Sequence, residues 1–344
     1  MPKKVRIKMQ NREFRTLTEK ELFALCKSTM CYDFEDGFFT PFRYTRAQID
    51  YMAREEYDWG WRMRAKFDGG IYLEFITDGD KISFEYKASC SHERSNTVDT
   101  FVSGKLFSSF AIGENLTGKI EISLPERDKG EPVQIYLPCE SEFAIKDFKI
   151  NGTVTKTEDK GEKVLILGDS ITQGAGPDHS SMAYANIICR EKGFNALKQG
   201  VGGYRYEPID LCMFPLNEFV PDKIIVFLGT NYDDLSCFER GYDYEKAVIE
   251  YYEKLNKIYG HVPIISITPL WKNRNTDYVR FDWCRSVIAR ECAKYENIKV
   301  IDGFDLVPQS DDFFADGVHP NELGSLTLAK NLLEKMEKIE TWLN

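Results

Sequence analysis

Residues 164–174 read Val-Leu-Ile-Leu-Gly-Asp-Ser-Ile-Thr-Gln-Gly, and the four apolar residues that open the run leave no polar face. A strand without polar alternation is buried on both sides, the situation of a central strand in a parallel sheet covered by helices. The pattern recurs downstream. Strand-like segments at 163–167, 195–199, 223–228, 264–268 and 298–301 alternate with amphipathic segments at 182–192, 244–259 and 279–295. This order predicts three α/β/α layers around a parallel sheet. A last helix, from 321 to about 343, closes the layers, with Leu323, Leu326, Ala329, Leu332, Leu333 and Met336 at helical spacing. In open α/β sheets ligands bind beyond the carboxyl ends of the strands. Ser170, Gly203, Asn231 and Trp271 all fall just after strand ends, so the fold by itself singles out that edge.

The first half reads differently. Runs at 71–76 and 81–86 flank Thr77-Asp-Gly-Asp80, a hairpin signal. Shorter strand-like runs at 97–102, 119–123, 132–137 and 143–150 are spaced by turn-rich pieces such as Pro125-Glu-Arg-Asp-Lys-Gly130, the pattern of an antiparallel sandwich. A short helix is expected at 19–26. The stretch 151–162 holds almost no apolar side chain, so the expected division is a β-sandwich domain at 1–155 and an α/β domain at 156–344.

Composition excludes several partners. The 344 residues carry a formal charge of −10, which disfavours nucleic-acid backbones and anionic membranes, and the basic group Lys3, Lys4, Arg6 and Lys8 is too short to reverse that. No apolar leader and no apolar run near the roughly 20 residues of a membrane span is visible, so a cytoplasmic protein without a membrane partner is expected. The nine cysteines contain no CxxC pair, so neither a disulfide framework nor a zinc site is indicated. A dinucleotide fingerprint fails as well: Gly200-x-Gly202 and Gly174-x-Gly176 reach Arg205 and His179 where a third glycine is needed. No spacing singles out the carboxylate pair of a glycosidase.

Serine is a weak nucleophile until an adjacent base takes its proton, and that base needs an acceptor to orient it. Ser170 stands at the strand end. Far downstream, Asp316-Gly-Val-His319 sets a carboxylate and an imidazole three residues apart, close enough for one turn of chain to aim both alike. The reading is acyl transfer to Ser170, with His319 as base and Asp316 as its orienting acid. Taken singly, each piece has a plainer account. Ser170 can cap a helix, Gly200–Gly203 can be only a turn, Asn231 can cap a loop, and Asp316 with His319 can be a capped turn. Four coincidences in order argue for the chemistry.

These residues also resemble the SGNH (GDSL) hydrolases over roughly 163–343. Gly168-Asp-Ser-Ile-Thr172 is similar to their first block, Gln199-Gly-Val-Gly-Gly203 to the second, Gly229-Thr-Asn231 to the third and Asp316-Gly-Val-His319 to the last. One departure is visible: Tyr232 stands where the family commonly has Asp, and Asp233 follows. The resemblance implies a flavodoxin-like domain and an oxyanion hole formed by the Ser170 and Gly203 backbone N–H groups and the Asn231 amide. Fixed donors of that kind lower a barrier by about 3 to 4 kcal/mol each.

A β-sandwich ahead of such a domain resembles the two-domain carbohydrate esterases, the sandwich being jelly-roll-like, with Phe42-Arg43 and 73–86 as the suggestive pieces. The resemblance implies an acetylated saccharide as substrate, an acetyl-serine intermediate, and no metal or other cofactor. Lipases, thioesterases and acyltransferases share this chemistry. A non-catalytic carbohydrate-binding protein would lack the nucleophile or the base, and neither is missing. Trp271 is the first candidate for a sugar platform, with Trp59 and Trp61 assigned to packing. Tyr204 and Arg205 are placed on the leaving-group side, a surface ion pair being the other account of Arg205. Asp169 is expected to brace the serine turn through backbone bonds. His92 and His261 read as loop or surface residues, and His179 either as a substrate contact or as a solvent-facing side chain. Sequence leaves the oligomeric state open.

Overall fold

The computed structural model describes residues 13–54, 59–206, 216, 218–232, 243–274, 276–339 and 342. Asp233, the basic group Lys3, Lys4, Arg6 and Lys8, and Leu343 lie outside the described residues.

The first half folds into two antiparallel sheets. One runs in the order Cys31–Glu35, Phe38–Phe42, Phe143–Ile150, Lys81–Ala88, Thr117–Ser123, with Arg15–Thr16 added to Phe143–Ile150. The other runs Val154–Lys156, Tyr72–Thr77, Pro132–Tyr136, Thr97–Val102, Lys105–Ala111, with Cys26–Lys27 beside Tyr72–Thr77. Alternate residues of both sheets, among them Phe75, Ile82, Phe84, Val133, Ile135 and Phe148, make one shared core. Phe84 and Phe148 stack within it at 5.4 Å. The leading helix, Glu19–Leu25, carries a reciprocal capping box between Thr18 and Glu21.

One expectation is corrected here. Thr77–Asp80 is no hairpin, because Tyr72–Thr77 and Lys81–Ala88 belong to different sheets and the chain crosses between layers at this turn. Other segments satisfy the turn's backbone: Asn151 Oδ1 accepts from Asp80 and Lys81 N–H at 2.9 and 2.8 Å, and Arg127 Nη2 donates to the Thr77 and Gly79 carbonyls. Within the polar stretch 151–162, Val154–Lys156 pairs antiparallel with Tyr72–Thr77. The parallel sheet then begins at Lys163.

Among the described residues that sheet has five parallel strands in the order Asn195–Gly200, Lys163–Gly168, Lys223–Phe227, Ile264–Ile267, Ile298–Ile301. Helix Tyr244–Tyr259 packs against Tyr278–Cys292, and Tyr184–Lys192 against Glu322–Met336. The two helix pairs enclose separate apolar cores, one around Leu165, Val226, Tyr252 and Val287, the other around Ile166, Phe227, Ile188 and Leu328. Adjacent strand residues thus face opposite cores, as the unbroken apolar run required. This is the expected three-layer α/β/α, flavodoxin-like arrangement. Among the described residues, no helix is long and apolar enough to cross a membrane.

A polar seam joins the halves. Ser180 Oγ donates to the Ser95 carbonyl at 3.0 Å and accepts from Thr97 N–H at 3.1 Å. Buried Asp99 accepts from Ser181 N–H at 2.8 Å, and the Arg190 guanidinium lies 4.3 Å over the Phe101 ring.

Candidate active site

Ser170 opens a four-residue helix, Ser170–Gln173, one residue after the interior strand Lys163–Gly168. Asp169 caps it, Oδ1 accepting the Ile171 N–H at 3.0 Å, which is the bracing role expected for that residue. Burial pushes the Asp169 carboxyl up to about 6, against the Ile171 N–H and the positive charge of His319 and Lys272.

The structure brings Ser170, His319 and Asp316 into one line. His319 Nε2 lies 2.8 Å from Ser170 Oγ, and its Nδ1 lies 2.9 Å from Asp316 Oδ2. The other carboxylate oxygen, Oδ1, accepts the backbone N–H of His319 at 2.9 Å and of Val318 at 3.1 Å. Burial raises the Asp316 carboxyl, but the hydrogen bonds from the His319 ring and backbone and from Val318 N–H outweigh it and hold the group well below the usual carboxylate range. An ionised carboxylate only accepts. Nδ1 therefore carries the ring proton, and Nε2 is left to accept from the serine hydroxyl, the arrangement a general base needs.

The second block lies beside the serine turn. Asn195–Gly200 and Lys163–Gly168 pair in register, Gly200 opposite Gly168, and Val201 N–H continues the contact to the Gly168 carbonyl at 3.1 Å. A side chain at Gly200 would sit 2.4 Å from the Gln173 nitrogen, so the serine turn closes onto this strand only over a bare Cα. Gly203 has φ +76°, a left-handed conformation that favours glycine. Gln173 Oε1 accepts the Gly202 N–H at 2.8 Å, while Arg64 Nη1 donates to the Gly202 carbonyl at 3.1 Å. Asn231 is tied to the same loop, Nδ2 donating to the Tyr204 carbonyl at 2.9 Å.

Other expected residues are placed more indirectly. The Tyr204 ring is buried edge-on against Trp61 at 5.7 Å, so this residue offers the site its backbone rather than its ring. Arg205 is half-buried, its guanidinium 5.9 Å from the Tyr232 ring. Tyr232 itself packs 4.5 Å from Tyr244 and 5.9 Å from Tyr206, so an aromatic cluster supports the loop where the family's Asp is missing. Trp271 is half-buried with its ring 5.5 Å from Phe314. Trp61 is core; of Trp59 only the helical backbone is described. His261 is exposed. His179 pairs with Glu322 at 2.8 Å.

Reading by blocks misses what the sandwich half contributes. Glu140 accepts from Gln173 Nε2 at 2.7 Å. Burial raises its carboxyl, against the charges of His92, His319 and Arg64. His92 is exposed, its ring 6.3 Å from that of Phe67. The buried Arg43 donates to the carbonyls of Gly200, Phe67 and Arg64. Only Arg43 left any trace in the sequence; nothing there marked Arg64, Gln173 or Glu140. Among the described residues no cluster of metal-ligating side chains is present, and seven cysteines there are free thiols.

Residues 166–325 match the model of the GDSL-like Lipase/Acylhydrolase family. No curated protein matches the chain. Solved structures similar to it include a salicylyl-acyltransferase from a tetracycline biosynthetic pathway, 17% identical, covering 96% of this chain and 98% of that one at a TM-score of 0.72. A family two carbohydrate esterase from Cellvibrio japonicus is 16% identical, with coverage of 96% and 99% and a TM-score of 0.64. An acetyl xylan esterase from the rumen bacterium Butyrivibrio proteoclasticus is 17% identical, with coverage of 81% and 92% and a TM-score of 0.56. At such identities the likeness is one of fold, and in the first two it spans both halves of the chain.

Proposed function

With residues 166–325 forming a GDSL-like lipase/acylhydrolase domain, we propose that the protein is a serine esterase that removes acetyl groups from carbohydrates. The observation that carries the esterase reading is the line from Ser170 Oγ through His319 to Asp316, at 2.8 and 2.9 Å. His319 takes the serine proton as Oγ attacks the ester carbonyl, and Asp316 keeps the proton on Nδ1. The carbonyl oxygen becomes an anion, received by the backbone N–H groups of Ser170 and Gly203 and by the Asn231 amide. Collapse returns the proton from His319 to the departing sugar oxygen and leaves an acyl-serine. Water, deprotonated by the same imidazole, attacks the acyl carbon; the bond to Oγ breaks, His319 returns the proton to Ser170 Oγ, and the acid leaves.

The acetyl and sugar parts rest on the surroundings. Ser170 is only 7% exposed, which suits a small acyl group. Polar side chains hold the loops beside it, Arg64 on the Gly202 carbonyl and Glu140 on Gln173, and a hydroxyl-rich leaving group suits such surroundings. Two of the similar folds named above are carbohydrate esterases.

The test compares p-nitrophenyl acetate with the butyrate, alongside acetate release from acetylated xylo-oligosaccharides, for the wild type and Ser170→Ala. Acetate is expected to be preferred, the oligosaccharides to lose acetate, and the variant to lose about 10⁴-fold or more in kcat. An inert wild type or an unimpaired variant removes the serine assignment. Preferential transfer of the acetyl group to an added alcohol rather than water would make the chain an acyltransferase.

A further inference from the structure

We propose that Arg64, from the sandwich half, is a positioning residue of the oxyanion hole, acting through the Gly202–Gly203 peptide. The inference rests on the esterase reading of Ser170. In a planar trans peptide the carbonyl of one residue and the N–H of the next point in opposite directions. Arg64 Nη1 holds the Gly202 carbonyl at 3.1 Å, so the same bond turns the Gly203 N–H away from the sandwich. That N–H is the donor assigned to the developing oxyanion. A cation on the carbonyl oxygen also polarises the amide and strengthens its N–H as a donor.

The neighbouring peptides are fixed from both halves. Gln173 accepts the Gly202 N–H at 2.8 Å and is itself held by Glu140 at 2.7 Å. Arg43, fully buried, donates to the Gly200 carbonyl. Gln48 and Gln199 bond to each other at 3.1 Å, and Gln199 Nε2 also donates to the Arg43 carbonyl. Arg43 further holds the Arg64 carbonyl at 3.1 Å, so the backbone that carries the guanidinium is anchored by the residue that anchors the loop. A left-handed glycine has shallow preferences of its own; at Gly203 the orientation comes from these partners. The sandwich is by this account a working part of the catalytic centre.

The experiment uses the full chain with Arg64→Met and Arg64→Lys. It reads kcat and KM on p-nitrophenyl acetate and the inhibition constant of phenylboronic acid, which forms a tetrahedral adduct on a reactive serine. Removing an oxyanion donor outright costs about 10²- to 10³-fold, so mis-aiming one is expected to lower kcat about 30-fold in the Met variant, with KM within about twofold. Boronate inhibition should weaken in step. The Lys variant, which restores a positive charge, should recover to within about fivefold of wild type; it carries the test by the same readouts if the Met variant does not fold. A Met variant with kcat within twofold of wild type, or a loss confined to KM, overturns the inference while leaving a Ser170-dependent esterase in place. A wild type without Ser170-dependent turnover takes both readings down.

Discussion

The two loops that flank Ser170 are built in opposite ways. The acid–base loop is a local device: Asp316 bonds to the backbone of Val318 and His319 and to the His319 ring, and Ala315 N–H closes on the His319 carbonyl at 2.8 Å. It is also open to solvent, with the Asp316 side chain 38% exposed and that of His319 24%. The loop after the Asn195–Gly200 strand is a tertiary device. The strand end leading into it is held by Arg43 and Gln48 and the loop itself by Arg64 and Gln173, three of the four from the sandwich half. A proton relay needs two side chains at a set spacing, which the five residues from Ala315 to His319 can supply. Aiming a backbone N–H needs the neighbouring carbonyls to be held, and those holders come from elsewhere in the fold.

The largest predicted effect tests the local side. Asp316→Asn keeps the shape and an acceptor for the two backbone N–H groups but loses the charge that keeps the proton on Nδ1. An amide N–H facing Nδ1 favours the wrong tautomer, so kcat should fall about 10⁴-fold. Thermal stability should move little, because the loop's backbone bonds survive. Steady-state kinetics beside a melting curve check this. A large drop in melting temperature would show that the loop depends on Asp316 for more than its chemistry.

Gly203→Ala tests the tertiary side and should give a smaller, coupled effect. At φ +76° an added Cβ is strained by about 1 to 2 kcal/mol, and it would stand 3.3 Å from Arg64 Nη1 and 3.5 Å from Trp61 Nε1. The peptide that carries the donor must shift, so kcat should fall about 10²-fold while the melting temperature falls with it. Rate and stability moving together here, and separately at Asp316, is the signature of the difference between the loops. Equal behaviour in the two variants would erase it.

The same difference explains what the sequence revealed. The parallel strands were legible because burial on both faces writes an unbroken apolar run, and Ser170, Asp316 and His319 because their relations are short or follow strand ends. Phe38–Phe42 was not seen as a strand, since it contains Pro41, opposite Tyr32 in the ladder, and proline reads as a break in strands. Lys105–Ala111 lies at a sheet edge with most of its side chains exposed, so no alternation marks it. Thr77–Asp80 looked like a hairpin because turn residues report a change of direction and not which sheet receives the next strand. Arg64 and Glu140 are ordinary charged residues in sequence, and their part in the site exists only once Gly202 and Gln173 are beside them. Motifs are readable where a function closes over a few residues, and they fall silent where it is assembled across the chain.

The smallest effect is expected at the side-chain contact that Arg274 makes to the acid–base loop from outside it. Arg274 Nη1 donates to Asp316 Oδ2 at 3.2 Å, on the oxygen that also takes the imidazole, so on paper it competes with His319 for the carboxylate. Exposure argues that the competition is weak: the Arg274 side chain is 60% exposed, and an ion pair so open to water and salt is worth under about 1 kcal/mol. Asp316 keeps its two backbone N–H bonds and its imidazole bond without it. Arg274→Ala should therefore leave kcat within about twofold of wild type, the difference shrinking further as salt is raised. The measurement is kcat for both proteins at low and high salt. A tenfold loss that persists at high salt would mean that Asp316 needs a tertiary clamp after all, and the acid–base loop would then belong with the oxyanion loop rather than against it.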